Sequence, residues 1–294
     1  MTGPLDALPK KLLLGFSGGL DSCALLDALL ESGRRPVLLH FDHGWRPESR
    51  EDARWAAALA KRHKLTFHTA RAAAGKKSEA EARRARWAFF LRAAKKTGLH
   101  DLALAHHADD QVETFLLQLL RGTGSSWSGM APLSVRDGLT IHRPWLGVWR
   151  AEIASYAAER EIPHRNDSSN HDSKFLRNRI RLELLPLLEK QYAPGLRRLL
   201  HRTAEIQRAE QDWLEEQVAA QAASQRLPLS SLVGEPVAWQ RRLLRRWLEN
   251  RGVTGLSFEK IEEARSLLEK KGPAKLNLKG GRHLRRRAGL LFLE

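Results

Sequence analysis

The sequence of 294 residues contains a single cysteine, Cys23. That scarcity excludes a disulfide framework, a thiolate metal site and an iron–sulfur cluster. No apolar run approaches the ~20 residues that a membrane-spanning helix needs. The first residues lack the cationic and apolar segments of a secretory signal peptide. Internal repeats and low-complexity tracts are also missing. We therefore expect a folded cytoplasmic protein that has no membrane partner.

Positive charge is what the sequence has in excess. Its 50 lysine and arginine residues outnumber its 34 aspartate and glutamate residues, so the formal net charge is +16. A surplus of this size favours a polyanionic partner, most commonly a nucleic acid. On charge alone, a basic protein without such a partner remains the alternative.

Strands and helices are predicted to alternate in the first part of the chain. The apolar pattern indicates strands at residues 11–16, 36–41, 65–70 and 102–105, and helices at 21–30, 48–63, 78–96 and 108–120. Ser78 is expected to cap the third of these helices. The alternation predicts an α/β fold, in which helices cover both faces of a parallel, Rossmann-like sheet.

The remainder of the chain is predicted to be mostly helical. Helices are expected at residues 150–160, 177–190, 194–225, 239–250 and 257–271, and a hairpin within 274–293 turns at Gly280-Gly281. The helix at 194–225 is interpreted as a linker. We therefore predict a first domain at 1–192, then at 193–294 this linker and a smaller, mostly helical α+β domain.

A turn of small residues lies between the first predicted strand and helix, with the sequence Ser17-Gly18-Gly19-Leu20-Asp21-Ser22. Adjacent glycines let backbone N–H groups approach an anion closely, and the following helix directs its positive dipole end to the same place. The serines add hydroxyl donors, and Asp21 could hold Mg²⁺ beside a phosphate. The loop lacks the lysine of a Walker motif. A turn without a ligand is the alternative.

The loop resembles the PP-loop signature of the N-type ATP pyrophosphatases, in which it binds the departing pyrophosphate while a substrate oxygen is adenylated. Further motifs are Phe41-Asp42-His43-Gly44-Trp45-Arg46-Pro47-Glu48-Ser49, His106-His107-Ala108-Asp109-Asp110-Gln111-Val112-Glu113-Thr114, Leu119-Leu120-Arg121-Gly122-Thr123-Gly124, Asp167-Ser168-Ser169-Asn170 and Phe175-Leu176-Arg177-Asn178-Arg179-Ile180-Arg181. Together they resemble the tRNA(Ile)-lysidine synthetase family over most of residues 11–190. The basic segments at 239–249 and 280–287 resemble that family's tRNA-binding domain.

The resemblance implies a ligase that attaches free L-lysine to the wobble cytidine of an isoleucine tRNA with a CAU anticodon. ATP, with Mg²⁺, adenylates the ring carbonyl oxygen and pyrophosphate leaves; the side-chain amine of lysine then displaces AMP. The product base, lysidine, pairs with A instead of G, which changes codon reading from AUG to AUA and identity from Met to Ile. Longer family members carry a further C-terminal domain that we expect this chain to lack. The family is often dimeric, which leaves a homodimer open.

Five residues are the candidates for catalysis. Arg121 could supply the arginine fork that a crowded α-phosphate favours. Asp42, Asp110 and Glu113 are expected to bind the ammonium groups of lysine, and the last two share a helix face. His107 or one of these carboxylates could accept the proton of the attacking amine. Alternatively, Asp110 caps its helix and Glu113 is a solvated helical residue.

Two side chains near these motifs are interpreted as structural. His106 is expected to pack beside the site, and a metal ion at the paired histidines is disfavoured because no third ligand has a recognised spacing. Cys23 lies on the apolar stripe of the first helix and is expected in the core. A tRNA thiolase, the rival enzyme of the same superfamily, generally needs paired cysteines.

Arginine clusters are the predicted tRNA contacts. Those of the basic helix alternate with leucines and tryptophans, so it can pack one side and present arginines on the other. The run Arg83/Arg84/Arg86 is instead interpreted as a solvated face. Arg285, Arg286 and Arg287 form a further basic cluster. The residues predicted to bind tRNA are Arg177, Arg179, Arg241, Arg242, Arg245 and Arg246.

Overall fold

The computed structural model describes residues 5–44, 49–72, 79–122, 128–165 and 176–294. It divides into two compact units. The first comprises Met1–Thr114 and Met130–Arg197, and the second Phe115–Gly129 and Arg198–Glu294. The predicted domains are contiguous, whereas these units are not. Within the described ranges, no helix has both the length and the apolar character needed to cross a membrane.

The first unit is built on one sheet with the strand order β3-β2-β1-β4-β6-β5. Every neighbouring pair is parallel except β5 and β6, which confirms the predicted parallel sheet. Its strands are β1 (Leu13–Gly15), β2 (Val37–Asp42), β3 (Phe67–Arg71), β4 (Asp101–Leu104), β5 (Leu133–Arg136) and β6 (Leu139–His142). Its helices are α1 (Leu20–Glu31), α2 (Ser49–Arg62), α3 (Glu79–Thr97), α4 (Ala108–Leu120, which runs on into the second unit), α5 (Arg150–Glu159), α6 (Leu176–Arg179) and α7 (Leu185–Gln191), with a π-helical segment at Ile180–Leu184.

The hairpin of β5 and β6 is the departure from the predicted fold. Asp137 and Gly138 connect its strands with φ of 49° and 80°. Two successive positive φ values belong to the turn that matches the twist of a two-residue hairpin, and Asp-Gly is a preferred sequence for it. Trp87 Nε1 also donates to Asp137 Oδ2 over 2.6 Å. The hairpin therefore extends the sheet beyond β4.

Two apolar clusters form the core of the first unit. Leu14 and Leu38 belong to one, with much of α1, whereas Leu13 and Leu39 belong to the other, with Phe89 and α3. Because successive side chains of a strand point to opposite faces, this division shows that both faces of the sheet are covered. The loops after β1, β2 and β4 consequently meet at the carboxyl edge of a rigid sheet.

The predicted helix at 177–190 is present as three consecutive helical segments. Leu176–Arg179 is α-helical, Ile180–Leu184 is π-helical and Leu185–Gln191 is α-helical. Pro186 lies at the start of the last segment. Because proline has no N–H to donate to the preceding turn, the regular hydrogen-bond ladder is interrupted there. The capping role expected of Ser78 lies outside the described residues, as does the motif Asp167–Asn170.

The second unit combines helices with a small antiparallel sheet of order β7-β10-β9-β8. Trp247 and Leu244 are fully buried in its core. The predicted hairpin at Gly280-Gly281 is confirmed and joins β8 to β9. A second turn at Ala288-Gly289 joins β9 to β10. The elements are α8 (Leu196–Ala223), β7 (Leu227–Pro228), a 3₁₀ turn (Leu229–Ser231), α9 (Val237–Glu249), α10 (Phe258–Ser266), β8 (Lys275–Asn277), a 3₁₀ turn (Lys279–Gly281), β9 (His283–Arg287) and β10 (Leu290–Leu293).

Candidate active site

The loop between β1 and α1 is held by its own hydroxyl groups. Gly18 N donates to Ser22 Oγ over 3.1 Å, and Gly19 N donates to Ser17 Oγ over 3.2 Å. Ser22 Oγ in turn donates to Gly19 O over 3.0 Å. Gly18 has φ of +86°, and a Cβ there would lie 3.3 Å from the ring of Trp55. Glycine is therefore required, and the loop forms a compact cradle at the first turn of α1.

A cavity of about 280 Å³ opens beside this loop. It lies where the ends of β1, β2 and β4 meet, as expected for a ligand site of an open parallel sheet. Gly15 belongs to its lining, and a Cβ there would lie 2.6 Å from Leu104 Cδ2, so a larger residue would displace that side chain at the cavity wall. The polar residues that line it are Ser17, Asp21, Ser22, His40, Asp42, His43, Ser49, Asp52, Arg86 and His106.

Asp42 lies at the end of β2 and is 5% exposed. Its Oδ1 accepts a hydrogen bond from Gly44 N over 2.7 Å, and its Oδ2 lies 3.2 Å from Arg71 Nε. The carboxylate is thus fixed at the cavity wall with one cation already beside it. On the same strand, burial lowers the pKa of His40, whose Nδ1 lies 3.1 Å from Phe16 O. A neutral ring that donates to this carbonyl explains the contact.

Glu113 and Asp110 of α4 share two arginines. Glu113 is fully buried, and its Oε2 accepts from Arg177 Nε over 2.7 Å and from Arg181 Nη2 over 3.0 Å. Arg177 Nη2 also donates to Asp110 Oδ1 over 2.8 Å. Burial opposes the charge of Arg177, but Asp110 and Glu113 outweigh it and raise its pKa. We call Asp110, Glu113, Arg177 and Arg181 the carboxylate–arginine cluster.

His107 connects this cluster to the loop. Its side chain is buried, and its Nε2 lies 3.4 Å from Asp110 Oδ2 and 3.9 Å from Asp21 Oδ2. His107 N donates to Asp110 Oδ2 over 3.1 Å, so Asp110 also caps the start of α4. Burial favours protonation of Asp110, but His107 and Arg177 outweigh it and lower its pKa. Asp110 is therefore an anion that both caps a helix and pairs with Arg177.

Asp21 is the carboxylate of the loop with room for another partner. Its Oδ1 is buried, accepts no hydrogen bond within the described residues, and lies 3.8 Å from Arg150 Nε. Burial raises the pKa of Asp21. A buried carboxylate oxygen that accepts no hydrogen bond fits a cation. No group of three or more histidine, cysteine, aspartate or glutamate side chains in the described ranges could hold a metal ion, so phosphate or water oxygens would have to complete the coordination.

The two residues interpreted as structural have different surroundings, since His106 is half-buried and lines the cavity whereas Cys23 is buried in the core. Loss of hydration, more than any neighbouring charge, lowers the pKa of His106 to about 3. Burial raises the pKa of Cys23 to about 12, and its Sγ lies 3.3 Å from Gly18 O. A neutral imidazole and a protonated thiol therefore pack around the loop. Neither is a poised nucleophile.

Arg86 corrects the interpretation of its helix as a solvated face. Arg83 and Arg84 are exposed, but Arg86 is half-buried and lines the cavity. The helical period explains the difference, because Ala82 and Phe90 lie four residues to either side and are both buried. That stripe was available in the sequence. Other contacts that sequence analysis missed are those of Arg71 with Asp42 and of Arg150 with Asp21.

Asp42 is the predicted catalytic residue of the first unit that lines the cavity, whereas His107, Asp110 and Glu113 lie in or beside the carboxylate–arginine cluster. Arg121 directly follows α4, is exposed, and belongs to the second unit. Arg179 is exposed and lies 3.8 Å from Glu183 Oε2. Arg177, predicted to bind tRNA, belongs to the carboxylate–arginine cluster.

Comparisons with known proteins match both units. A PP-loop domain model matches residues 5–188, and a TilS substrate binding domain model matches residues 227–292. The chain is 39% identical over 273 residues to a tRNA(Ile)-lysidine synthase of Synechococcus, covering 88% of this chain and 82% of the relative. It is 38% identical over 306 residues to that of Thermus thermophilus, covering 98% of this chain and 58% of the relative. The chain therefore spans a little over half of the latter's length.

A solved structure of low sequence identity shares the fold. It is a U34-tRNA thiolase from Methanococcus maripaludis with its 4Fe–4S cluster. The TM-score is 0.54 at 16% identity, over 66% of this chain and 71% of the thiolase. At this identity, the likeness supports the fold of the first unit.

Proposed function

The chain belongs to the tRNA(Ile)-lysidine synthase family, and we propose that it ligates free lysine to the wobble cytidine of a CAU-anticodon isoleucine tRNA, using ATP. One observation carries the proposal. The phosphate-type loop, Asp42 and the segment after β4 that reaches His106 line one cavity at the carboxyl edge of the sheet. Anion-binding and cation-binding groups are thereby within reach of one another, as a reaction between ATP and a diamine requires.

The loop at Ser17–Ser22 would hold the pyrophosphate of ATP. Its backbone N–H groups, its hydroxyls and the N-terminus of α1 all favour a phosphate. Mg²⁺, when bound, would neutralise phosphate charge, and the open Oδ1 of Asp21 is the atom suited to hold it. Arg150, 3.8 Å from that oxygen, and Arg86 in the cavity wall would supply further positive charge. Arg121 remains our proposal for contact with the α-phosphate.

Lysine would bind at the carboxylates beside the cavity. Asp42 lines it directly, and Asp110 presents an ionised carboxylate at the start of α4. Glu113 is enclosed by Arg177 and Arg181, so we propose that it acts on lysine through them, by holding both guanidinium groups in place. His107, between Asp21 and Asp110, is the group we propose to accept the proton of the attacking amine.

The reaction would proceed in two steps. The ring carbonyl oxygen of cytidine attacks the α-phosphorus of ATP, and pyrophosphate leaves. The ε-amine of lysine then attacks the activated ring carbon, AMP leaves with the oxygen, and the amine gives up its proton. Because the substrates are tRNA, ATP and free lysine, we place the protein in the cytoplasm. A homodimer is part of the same proposal, to be tested by sedimentation equilibrium.

A tRNA thiolase is the rival function, because one shares the fold. Such chemistry uses reactive sulfur, yet this chain has one cysteine, which is buried and has a pKa raised to about 12. The two functions differ in their products. With labelled ATP, lysine and tRNA, the proposal predicts AMP, pyrophosphate and lysidine in equal amounts. AMP release that does not depend on lysine would contradict the lysine ligation.

A further inference from the structure

One face of the C-terminal sheet points away from the core of the second unit. Leu276 of β8, Leu284 of β9 and Leu291 of β10 pack into that core. Because side chains alternate along a strand, the residues between them lie on the opposite, outward face. The outward residues of these strands are Lys275, Asn277, His283, Arg285, Arg287, Leu290 and Phe292.

The same alternation separates the three consecutive arginines of β9. Arg286 points inward, where its guanidinium donates to Leu267 O over 2.8 Å and to Gly272 O over 3.0 Å. Its role is to tie β9 to the segment that follows α10. Arg285 and Arg287 point outward, and Arg287 is exposed. Arg285 lies 2.5 Å from Glu294, and its side chain is 41% exposed.

A row of side chains crosses three strands of this outward face. Lys275 is directly opposite Arg285, and Arg285 is directly opposite Phe292. Directly opposed side chains lie about 5 Å apart, so the ring of Phe292 stands beside Arg285, and Lys275 lies on the far side of Arg285. His283 and Arg287 flank Arg285 on β9 at about 7 Å to either side. We call these five residues, Lys275, His283, Arg285, Arg287 and Phe292, the sheet platform.

The arginines of α9 also contact acidic groups and carbonyls of the second unit. Arg242 is 7% exposed and donates to Glu215 Oε1 over 2.8 Å. Arg246 lies 3.6 Å from Glu215, and Arg241 donates to Glu262 over 2.7 Å. Arg245 donates to Leu256 O over 2.8 Å. Arg242 and Arg245 therefore point into the second unit, whereas the side chains of Arg241 and Arg246, which were predicted to bind tRNA, are 37% and 49% exposed.

We propose that the sheet platform is the RNA-binding surface of the second unit. An unpaired stretch of tRNA would stack a base on Phe292, while Lys275, Arg285 and Arg287 contact its phosphates. Aromatic side chains ringed by cations suit unpaired RNA, because bases stack on the ring and phosphates pair with the cations. The inference rests on the proposed function, which supplies tRNA as the polyanion.

The test measures the affinity of the full chain for a tRNA transcript across a salt series. Arg285→Gln with Arg287→Gln removes two cations from the platform, and Arg241→Gln with Arg246→Gln removes two from α9. Each phosphate contact contributes ~0.7–0.9 to the slope of log affinity against log salt. The platform variant should lose about 1.5 from that slope and about 30-fold in affinity at ~0.1 M salt. The α9 variant should change less than about threefold.

Phe292 separates stacking from charge. Phe292→Leu keeps an apolar side chain but has no ring, so affinity should fall at least about fivefold with an unchanged salt slope. Phe292→Tyr keeps an aromatic ring and should bind tRNA with wild-type affinity. Each variant's thermal midpoint verifies its folding.

Three results would overturn the inference. One is equal losses in the platform and α9 variants, and another is wild-type affinity in Phe292→Leu. The third is a platform variant that aggregates while its monomeric fraction binds normally, since charged side chains on an exposed sheet face also keep a protein soluble. A wild-type chain that releases no AMP would instead end the proposed function, because affinity is measured without turnover.

Discussion

Replacing Glu113 by glutamine should be the most destabilising polar change in the carboxylate–arginine cluster. The carboxylate is fully buried and accepts from both Arg177 and Arg181. Charged hydrogen bonds contribute about 1.5–3 kcal/mol each, so losing two would cost about 3–6 kcal/mol. The arginine side chains are 26% and 31% exposed, and Asp110 still holds Arg177, so water and that contact recover part of the loss. We predict a cost of about 3 kcal/mol, within the range for breaking a buried pair.

The assay is urea unfolding of the full chain, followed through the transition of the first unit. Glu183→Gln is the matched control, because Glu183 pairs with Arg179 at 3.8 Å and both side chains are more than half exposed. Exposed pairs of this kind contribute ~0–1 kcal/mol, so the control should stay within about 0.5 kcal/mol of wild type. Equal midpoints for the two variants would refute the reasoning that the cluster is a buried, mutually dependent ion network.

Three further predictions concern single residues of the site. Asp42→Asn should raise the KM for lysine at least about tenfold, because it removes a negative charge at the cavity wall. The KM for ATP should stay within about twofold of wild type, and steady-state kinetics measure both values. The folded-state pKa of Asp110 is lowered, so its ionised carboxylate contributes to the free energy of unfolding above about pH 4, and this contribution is lost as the pH falls through the lowered pKa. The difference in stability between wild type and Asp110→Asn should therefore shrink on acidification. Cys23, with a pKa raised to about 12, should resist alkylation at pH 8 until urea unfolds the protein, and Cys23→Ala should keep ligase activity.

Each of these predictions has a contradicting result. A lysine KM unchanged in Asp42→Asn would move the lysine site away from β2. A stability gap that is independent of pH would show that Asp110 does not titrate with folding. Rapid alkylation of native Cys23 would show that the thiol is accessible, and loss of activity in Cys23→Ala would reopen the thiolase alternative.

Hydrophobic periodicity accounted for most of the fold, because the buried strands and the helices over them have distinct repeats. It missed the β5–β6 hairpin, whose strands are only four residues each. The Asp137-Gly138 pair between alternating apolar residues was the usable signal. The loop at Ser17–Ser22 was found because its function requires a particular local sequence between a strand and a helix.

Local sequence patterns could not predict which acidic side chain each arginine pairs with. Arg177 lies 64 residues from Glu113 along the chain, and no spacing rule pairs them. For Arg86 and for the arginines of β9, however, the helical and strand periods alone decide which side chains face the interior. Applied to every basic run, those periods would have placed Arg86 at the cavity and separated Arg286 from its neighbours.

Incorporation of labelled lysine into an isoleucine tRNA transcript tests the central claim most directly. The transcript is compared with one in which the wobble cytidine of the CAU anticodon is replaced by uridine, both with ATP and Mg²⁺ present. We expect about one lysine per tRNA with the CAU anticodon and none with the altered anticodon. Equal incorporation into both transcripts, or none into either, would contradict it.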